Sequence, residues 1–301
     1  MDLIVTEGIE KRFGQLTALR DISLRVRRGE LYGLIGPDGS GKTTFFRILT
    51  TLMPPDGGRA TVDGLDIATD YRRIRAAVGY MPGRFSLYPD LTVKENLEFF
   101  ATLFGTRLED NYDLIRDIYV QIEPFRSRRA GRLSGGMKQK LALCCALIHR
   151  PRVLFLDEPT TGVDVVSRHE FWDMLSGLKR QGITMLVSTP YMDEAVRCDR
   201  IALIQSGRLL SIDTPRGIIE NYPDALFEVR AENMRQLTDE IRKRCSPQSC
   251  FAFGRSLHVS FSRDDAEAPQ RMRAALTAAG CTNLEIAPIT PSIEDCFIQQ
   301  M

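Results

Sequence analysis

The chain reads as an α/β fold, with strands and covering helices in alternation, followed by a smaller α+β module. Three observations predict this. Continuous apolar runs at 31–35, 153–156 and 183–187 are bounded by polar residues, as buried parallel strands are. Stretches of helical period lie between them, which places helices over the sheet. Near Asn221-Tyr-Pro-Asp224 the composition changes, and shorter, more polar elements follow.

Taken in order, the strand 31–35 ends in a glycine-rich turn. A helix is expected over 42–51, stopped by Pro54 and Pro55 and the glycines behind them. A strand ends at Tyr80. Residues 92–122 have helical period and no strand signal, which predicts an all-helical insertion. The strand 153–156 runs into two acidic residues, and the strand 183–187 follows. Beyond the composition change the pattern predicts a strand at 225–230 and a helix at 233–244. Strands at 250–253 and 257–261, a helix at 266–279, a strand at 283–287 and a short terminal helix complete it. The expected division is residues 1–222, with a helical subdomain at about 84–150, and residues 223–301.

Hydrophobic residues at 43% and charged residues at 26% are ordinary for a folded globular protein. A net charge of +1 gives no global pull toward nucleic acid, so no nucleic-acid partner is expected. No apolar run approaches the roughly 20 residues that span a bilayer, and the first residues lack the basic-then-apolar pattern of a secretion signal. Any membrane role is therefore expected to come through a partner. Seven cysteines, with no CxxC pair, read as reduced thiols rather than disulfides or a zinc site.

Gly36, Pro37, Asp38, Gly39, Ser40, Gly41, Lys42 and Thr43 fit GxxxxGK(S/T) after a strand and at the opening of a helix, with Thr44 behind them. The chemistry requires each part. Glycines let backbone N–H groups converge on phosphate without Cβ clashes, and the helix start adds partial positive charge. Lysine reaches the β and γ phosphates, and the Thr43 hydroxyl is a ligand for Mg²⁺. A nucleoside triphosphate site is expected. Asp157 and Glu158 follow the strand 153–156 at its C-terminal end, where open α/β sheets bind ligands. Asp157 is suited to hold Mg²⁺, and Glu158 to polarise an attacking water.

Leu133-Ser134-Gly135-Gly136-Met-Lys-Gln139 opens another helical run. It resembles the signature motif of ABC-transporter ATPases, and Pro159-Thr-Thr-Gly-Val-Asp164 resembles their D-loop. The resemblance covers essentially the whole chain and implies the P-loop NTPase fold of the ABC ATPases, with ATP and Mg²⁺ as cofactors. It implies that Phe13 stacks on adenine, and that Ser134, Gly135 and Gly136 face the phosphate loop of a second ATPase subunit. It further implies a separate membrane permease, whose coupling helix docks near the stretch from Ser86 to Leu97, and a location on the cytoplasmic face of a bacterial inner membrane. The ending Thr290-Pro-Ser-Ile-Glu-Asp-Cys-Phe-Ile298 resembles the tail of ATPases from ABC type-2 exporters.

The sequence departs from that family at two positions. Gly83 stands where a glutamine usually touches Mg²⁺ and water, and Pro190 where a histidine usually holds the γ-phosphate and the catalytic glutamate. Proline has neither a side-chain donor nor an N–H. One reading is firm ATP binding with slow turnover, which calls for an unequal partner and a heterodimer. The other is a homodimer whose water network is rebuilt with Tyr191 or Arg84. Two rival functions are an ATP-clamp subunit without hydrolysis and a soluble ABC ATPase outside transport. The second usually carries two such domains or long insertions, which this chain lacks.

Overall fold

The computed structural model describes residues 1–84 and 86–301, every residue except Phe85. Two compact units are present, Met1–Pro215 and Arg216–Met301.

The first unit begins with a long hairpin, β1 (Asp2–Phe13) and β2 (Leu16–Arg27), and then β3 (Leu31–Ile35) and α1 (Lys42–Leu49). β4 (Gly57–Val62), β5 (Leu65–Asp66), α2 (Tyr71–Ala77) and β6 (Val78–Met81) follow. Then come α3 (Val93–Leu103), α4 (Tyr112–Tyr119), α5 (Gly135–Leu147), β7 (Val153–Asp157), α6 (Val165–Arg180), β8 (Thr184–Thr189), β9 (Arg200–Gln205) and β10 (Arg208–Asp213). Strands β3, β7 and β8 are buried along their whole length, as their apolar runs require. They sit inside a six-stranded sheet of order β10-β9-β3-β8-β7-β6, parallel except for β10 at its edge.

A second, antiparallel sheet of order β2-β1-β4-β5 was not among the expected elements. One cluster of buried side chains joins it to the parallel sheet: Ile4, Ile22 and Val62 on one side, Phe45 and Phe46 of α1 between, Phe155 and Leu186 on the other. Each such residue contributes about 1.5–3 kcal/mol through its burial, so α1, and the loop before it, are held from both sides.

The helix expected over 42–51 ends at Leu49, because Thr51 adopts a left-handed backbone with φ 62°. The stretch 92–122 is broken at Gly105, φ 67°, into α3, a 3₁₀ turn at Leu108–Asn111 and α4. α3 starts on a reciprocal cap in which Thr92 Oγ1 accepts from the Glu95 N–H at 3.2 Å and Glu95 accepts from the Thr92 N–H at 2.8 Å. Among the described residues between β6 and β7 there is no strand, only an isolated bridge between Thr92 and Arg129. The subdomain expected over 84–150 includes Phe85, which lies outside the described residues.

The second unit carries most of α7 (Pro215–Glu220), β11 (Asp224–Arg230), α8 (Met234–Arg244), β12 (Ser249–Phe253), β13 (Ser256–Ser262), α9 (Ala268–Ala278), β14 (Glu285–Pro288) and α10 (Ile293–Gln299). Its antiparallel sheet has the order β12-β13-β11-β14. Val229, Leu237, Ile241, Val259 and Leu276 form a core of its own. The division falls ahead of Tyr222, where the composition change placed it. Tyr222 is buried and its carbonyl accepts from Arg263 at 2.5 Å, while the Ile218 carbonyl accepts from the Cys296 thiol at 3.5 Å. Among the described residues no helix is long and apolar enough to cross a membrane.

Candidate functional site

The loop between β3 and α1 is shaped by its glycines. A Cβ on Gly36 would sit 2.2 Å from the Ile204 carbonyl oxygen, and one on Gly41 would sit 2.6 Å from that of Ala18 at a φ of 107°. Neither position admits a side chain. Gly41 opens α1 without a side-chain cap, which leaves the first helical amides to a ligand. Lys42, only 3% exposed, folds back over the loop: Nζ donates to the carbonyls of Gly36 at 2.7 Å and Pro37 at 2.9 Å. Ser40 is buried with its hydroxyl unpartnered, while Asp38 and Gly39 are exposed.

The end of β7 brings two carboxylates to this loop. Asp157 is 1% exposed and accepts from Ser188 Oγ at 2.7 Å, with the Thr43 hydroxyl nearby. Burial pushes the Asp157 carboxyl above the usual range, against the pull of those two hydroxyls. Glu158 leaves the strand with φ 50°, its N–H donating to Ser188 Oγ at 3.0 Å and to the Ser188 carbonyl at 3.1 Å. Its Oε1 lies 3.1 Å from Lys42 Nζ. Phe13, 46% exposed at the end of β1, lines the same groove of about 410 Å³ as Lys42, Thr43, Thr44 and Glu158.

Ser134, Gly135 and Gly136 stand apart from that groove's lining. Ser134 caps α5, its Oγ accepting from the Met137 N–H at 3.4 Å, and it is exposed. Gly135 lines a separate cavity of about 150 Å³ together with Arg84 and Glu158. Asp164 caps α6 through the Ser167 N–H at 3.0 Å, and Val165 and Val166 behind it are exposed at 64% and 68%. A glycine-shaped loop, a buried carboxylate and exposed valines therefore lie on one unit.

Residues 19–161 match the family model described as ABC transporter. The chain is 37% identical over 304 aligned residues to the probable multidrug ABC transporter ATP-binding protein YbhF of Escherichia coli (strain K12), covering 99% of this chain and 52% of that protein. It thus spans about half the length of that relative. To the Nod factor export ATP-binding protein I of Burkholderia lata it is 36% identical over 97% of its own length and 94% of the other's. The chain belongs to the ABC transporter ATP-binding proteins. A bacterial ABC transporter cassette solved as a dimer superposes with a TM-score of 0.63 at 25% identity, over 70% of this chain and 98% of that one.

Within this ABC fold both positions lie in closely held surroundings. A Cβ on Gly83 would lie 2.9 Å from the Asp157 carbonyl oxygen, so the segment after β6 rests directly on the strand end. Pro190 follows a tightly held Thr189, whose hydroxyl donates to buried Glu194 at 2.5 Å; Glu194 also accepts from Thr160 at 3.1 Å and Arg168 at 3.0 Å. Tyr191 lies under the Arg168 guanidinium at 3.9 Å. The histidines are all elsewhere: His149 stacks on Phe104, His169 meets Arg197, and His258 meets Asp295. Ser188 was not foreseen as part of the site, since a serine inside an apolar strand carries no motif. Gly207 was not foreseen either. It follows Ser206 in a turn with φ 48° and 75°, a two-residue hairpin signature that the Ser-Gly pair does carry, and both residues line the Lys42 groove.

Proposed function

We propose that this chain is the ATP-hydrolysing subunit of an ABC exporter, working in a nucleotide-sandwich dimer on the cytoplasmic face of a membrane. The observation that carries this reading is Lys42, buried and within 3.1 Å of Glu158 above a loop that only glycines can form. ATP would lie along the groove with adenine on Phe13 and its phosphates under the amides from Gly39 to Thr44. Lys42 exchanges its loop carbonyls for the β and γ phosphates, and Glu158 orients the attacking water.

Mg²⁺ fits the donors present. Asp157 and Thr43 supply hard oxygens near each other. Among the described residues no group of three or more His, Cys, Asp or Glu side chains could hold a metal, consistent with an ion that draws its remaining ligands from phosphates and water. When bound, it neutralises charge developing on the transferred phosphoryl group.

Pro190 leaves Glu158 without its customary histidine, and Gly83 leaves the metal and the attacking water without their customary glutamine, which supports firm binding with slow turnover. An intact Ser134 cap supports completion of a faster site on an unequal second ATPase subunit. The exposed Val165 and Val166 suit that contact. An apolar cavity of about 170 Å³ lined by Leu52, Tyr80, Leu87, Phe100 and Phe104 suits a permease helix, and the export named for the relatives supports the direction. The test is ATP binding and hydrolysis by the isolated chain, then in mixture with a second, unequal ABC ATPase subunit. Tight binding with slow hydrolysis that rises on mixing is expected. Robust turnover alone that Glu158→Gln abolishes would return the homodimer reading, and no turnover in either state would favour an ATP clamp.

A further inference from the structure

ATP cannot be gripped without disturbing Glu158. Lys42 is the cation on Glu158 Oε1, at 3.1 Å. Once that ammonium turns to the phosphates, the hydrogen-bond donor left to the Glu158 carboxylate among the described residues is Thr161 Oγ1, at 3.5 Å. That is long for an O–H···O bond, whose ordinary range ends at about 3.0 Å. Pro190 offers no donor, and the three histidines are engaged away from the groove.

On another side of Glu158 lies the separate cavity of about 150 Å³, and Arg84 lines it. The backbone there is close to the reacting end of the strand, because Gly83 admits no Cβ against the Asp157 carbonyl at 2.9 Å. Arg84 is exposed, and among the described residues it forms no ion pair. Its planar fork matches a carboxylate with two parallel bonds, which an ammonium cannot do.

We propose that Arg84 is a positioning residue for hydrolysis. As Lys42 moves to ATP, the Arg84 guanidinium takes the Glu158 carboxylate and holds it toward the attacking water. The step served is ordinary: the water oxygen bonds to the γ-phosphorus, the bond to the ADP oxygen breaks, and the water proton leaves toward Glu158. Gly83, without a side chain, lets the arginine come that near. This rests on Glu158 as the water-polarising group.

The experiment uses the full chain with Mg²⁺ and radiolabelled ATP under single-turnover conditions, with nucleotide affinity measured separately by a fluorescent ATP analogue. Arg84→Ala is expected to slow hydrolysis by about tenfold or more, below the hundredfold of a lost oxyanion donor, with affinity unchanged. Arg84→Lys is expected to recover part of the rate, and added methylguanidinium to restore part of it to Arg84→Ala. Wild-type hydrolysis in Arg84→Ala, alongside an inactive Glu158→Gln, would overturn the assignment alone. Full activity in Glu158→Gln would remove the reading of Glu158 itself, and Arg84's role with it. A wild-type chain that never hydrolyses bound ATP also refutes the proposal.

Discussion

Lys42 and Glu158 are paired at 3.1 Å across the phosphate loop, with the lysine 2% and the glutamate 20% exposed at the side chain. An ion pair this sheltered is hard to leave half-broken, so under the proposed function nucleotide binding would be a competition in which phosphate oxygens replace the glutamate.

Two substitutions should separate the partners. Lys42→Ala is expected to weaken ATP binding by about a hundredfold or more, the loss of one sheltered charged contact worth about 3 kcal/mol. Glu158→Gln should bind ATP as tightly as wild type or tighter, because a negative charge beside the γ-phosphate is removed, while hydrolysis stops. Equilibrium titration with a fluorescent ATP analogue checks both.

Restoring the customary residues should have opposite outcomes at the two positions. Pro190→His is expected to raise the hydrolysis rate by up to about a hundredfold, the lower end of what one positioned donor contributes. Gly83→Gln places a Cβ 2.9 Å from the Asp157 carbonyl; overpacking of this kind costs about 1–3 kcal/mol and should lower Tm without a gain in rate. Thermal melts and single-turnover assays on both variants decide it.

Ser134 has a local duty as well as its proposed one across a dimer. Ser134→Ala removes the cap on Met137 and should cost about 1 kcal/mol of stability. Gly136→Ala puts a Cβ 2.9 Å from Ser167 Oγ and 3.2 Å from Ser167 Cβ, and is expected to disturb the seat of α5 on α6. If Ser134 contacts a partner's nucleotide, Ser134→Ala will also abolish ATP-dependent dimerisation, measured by light scattering of the Glu158→Gln background.

Stability should fall on acidification through His149. Burial holds its imidazole below the usual value of 6.5, against a hydrogen bond to the Val78 carbonyl at 3.1 Å. The unfolded chain therefore takes up the proton first, so this contribution is whole above pH 6.5 and is lost as pH falls below it. Tm should drop between pH 7 and 5, and His149→Gln should flatten part of that drop.

The parts of the site legible in the sequence were those that one short run of chain supplies. The loop before α1 was legible because phosphate binding demands glycines and a lysine at fixed spacing. The strand ending in Asp157 was legible because burial on both faces demands an unbroken apolar run. β2 alternates openly, Ile22, Leu24 and Val26 buried between exposed Ser23 and Arg25. Its partner β1 does not, since register shifts near Gly8, with φ 62°, break the period of two. The antiparallel sheet was missed for that reason. Ser188 and Gly207 reach the site only through strand pairing, and no local pattern marks such a meeting.

The left-handed turn at Glu158 has a consequence for two like charges set side by side. Were β7 to continue, alternation would send neighbouring side chains to opposite faces of the sheet, one of them away from the ligand edge. With φ at 50° the chain veers instead, so Asp157 stays sunk among hydroxyls while Glu158 swings out to the lysine. A single backbone torsion thereby assigns adjacent, chemically identical groups to separate trades.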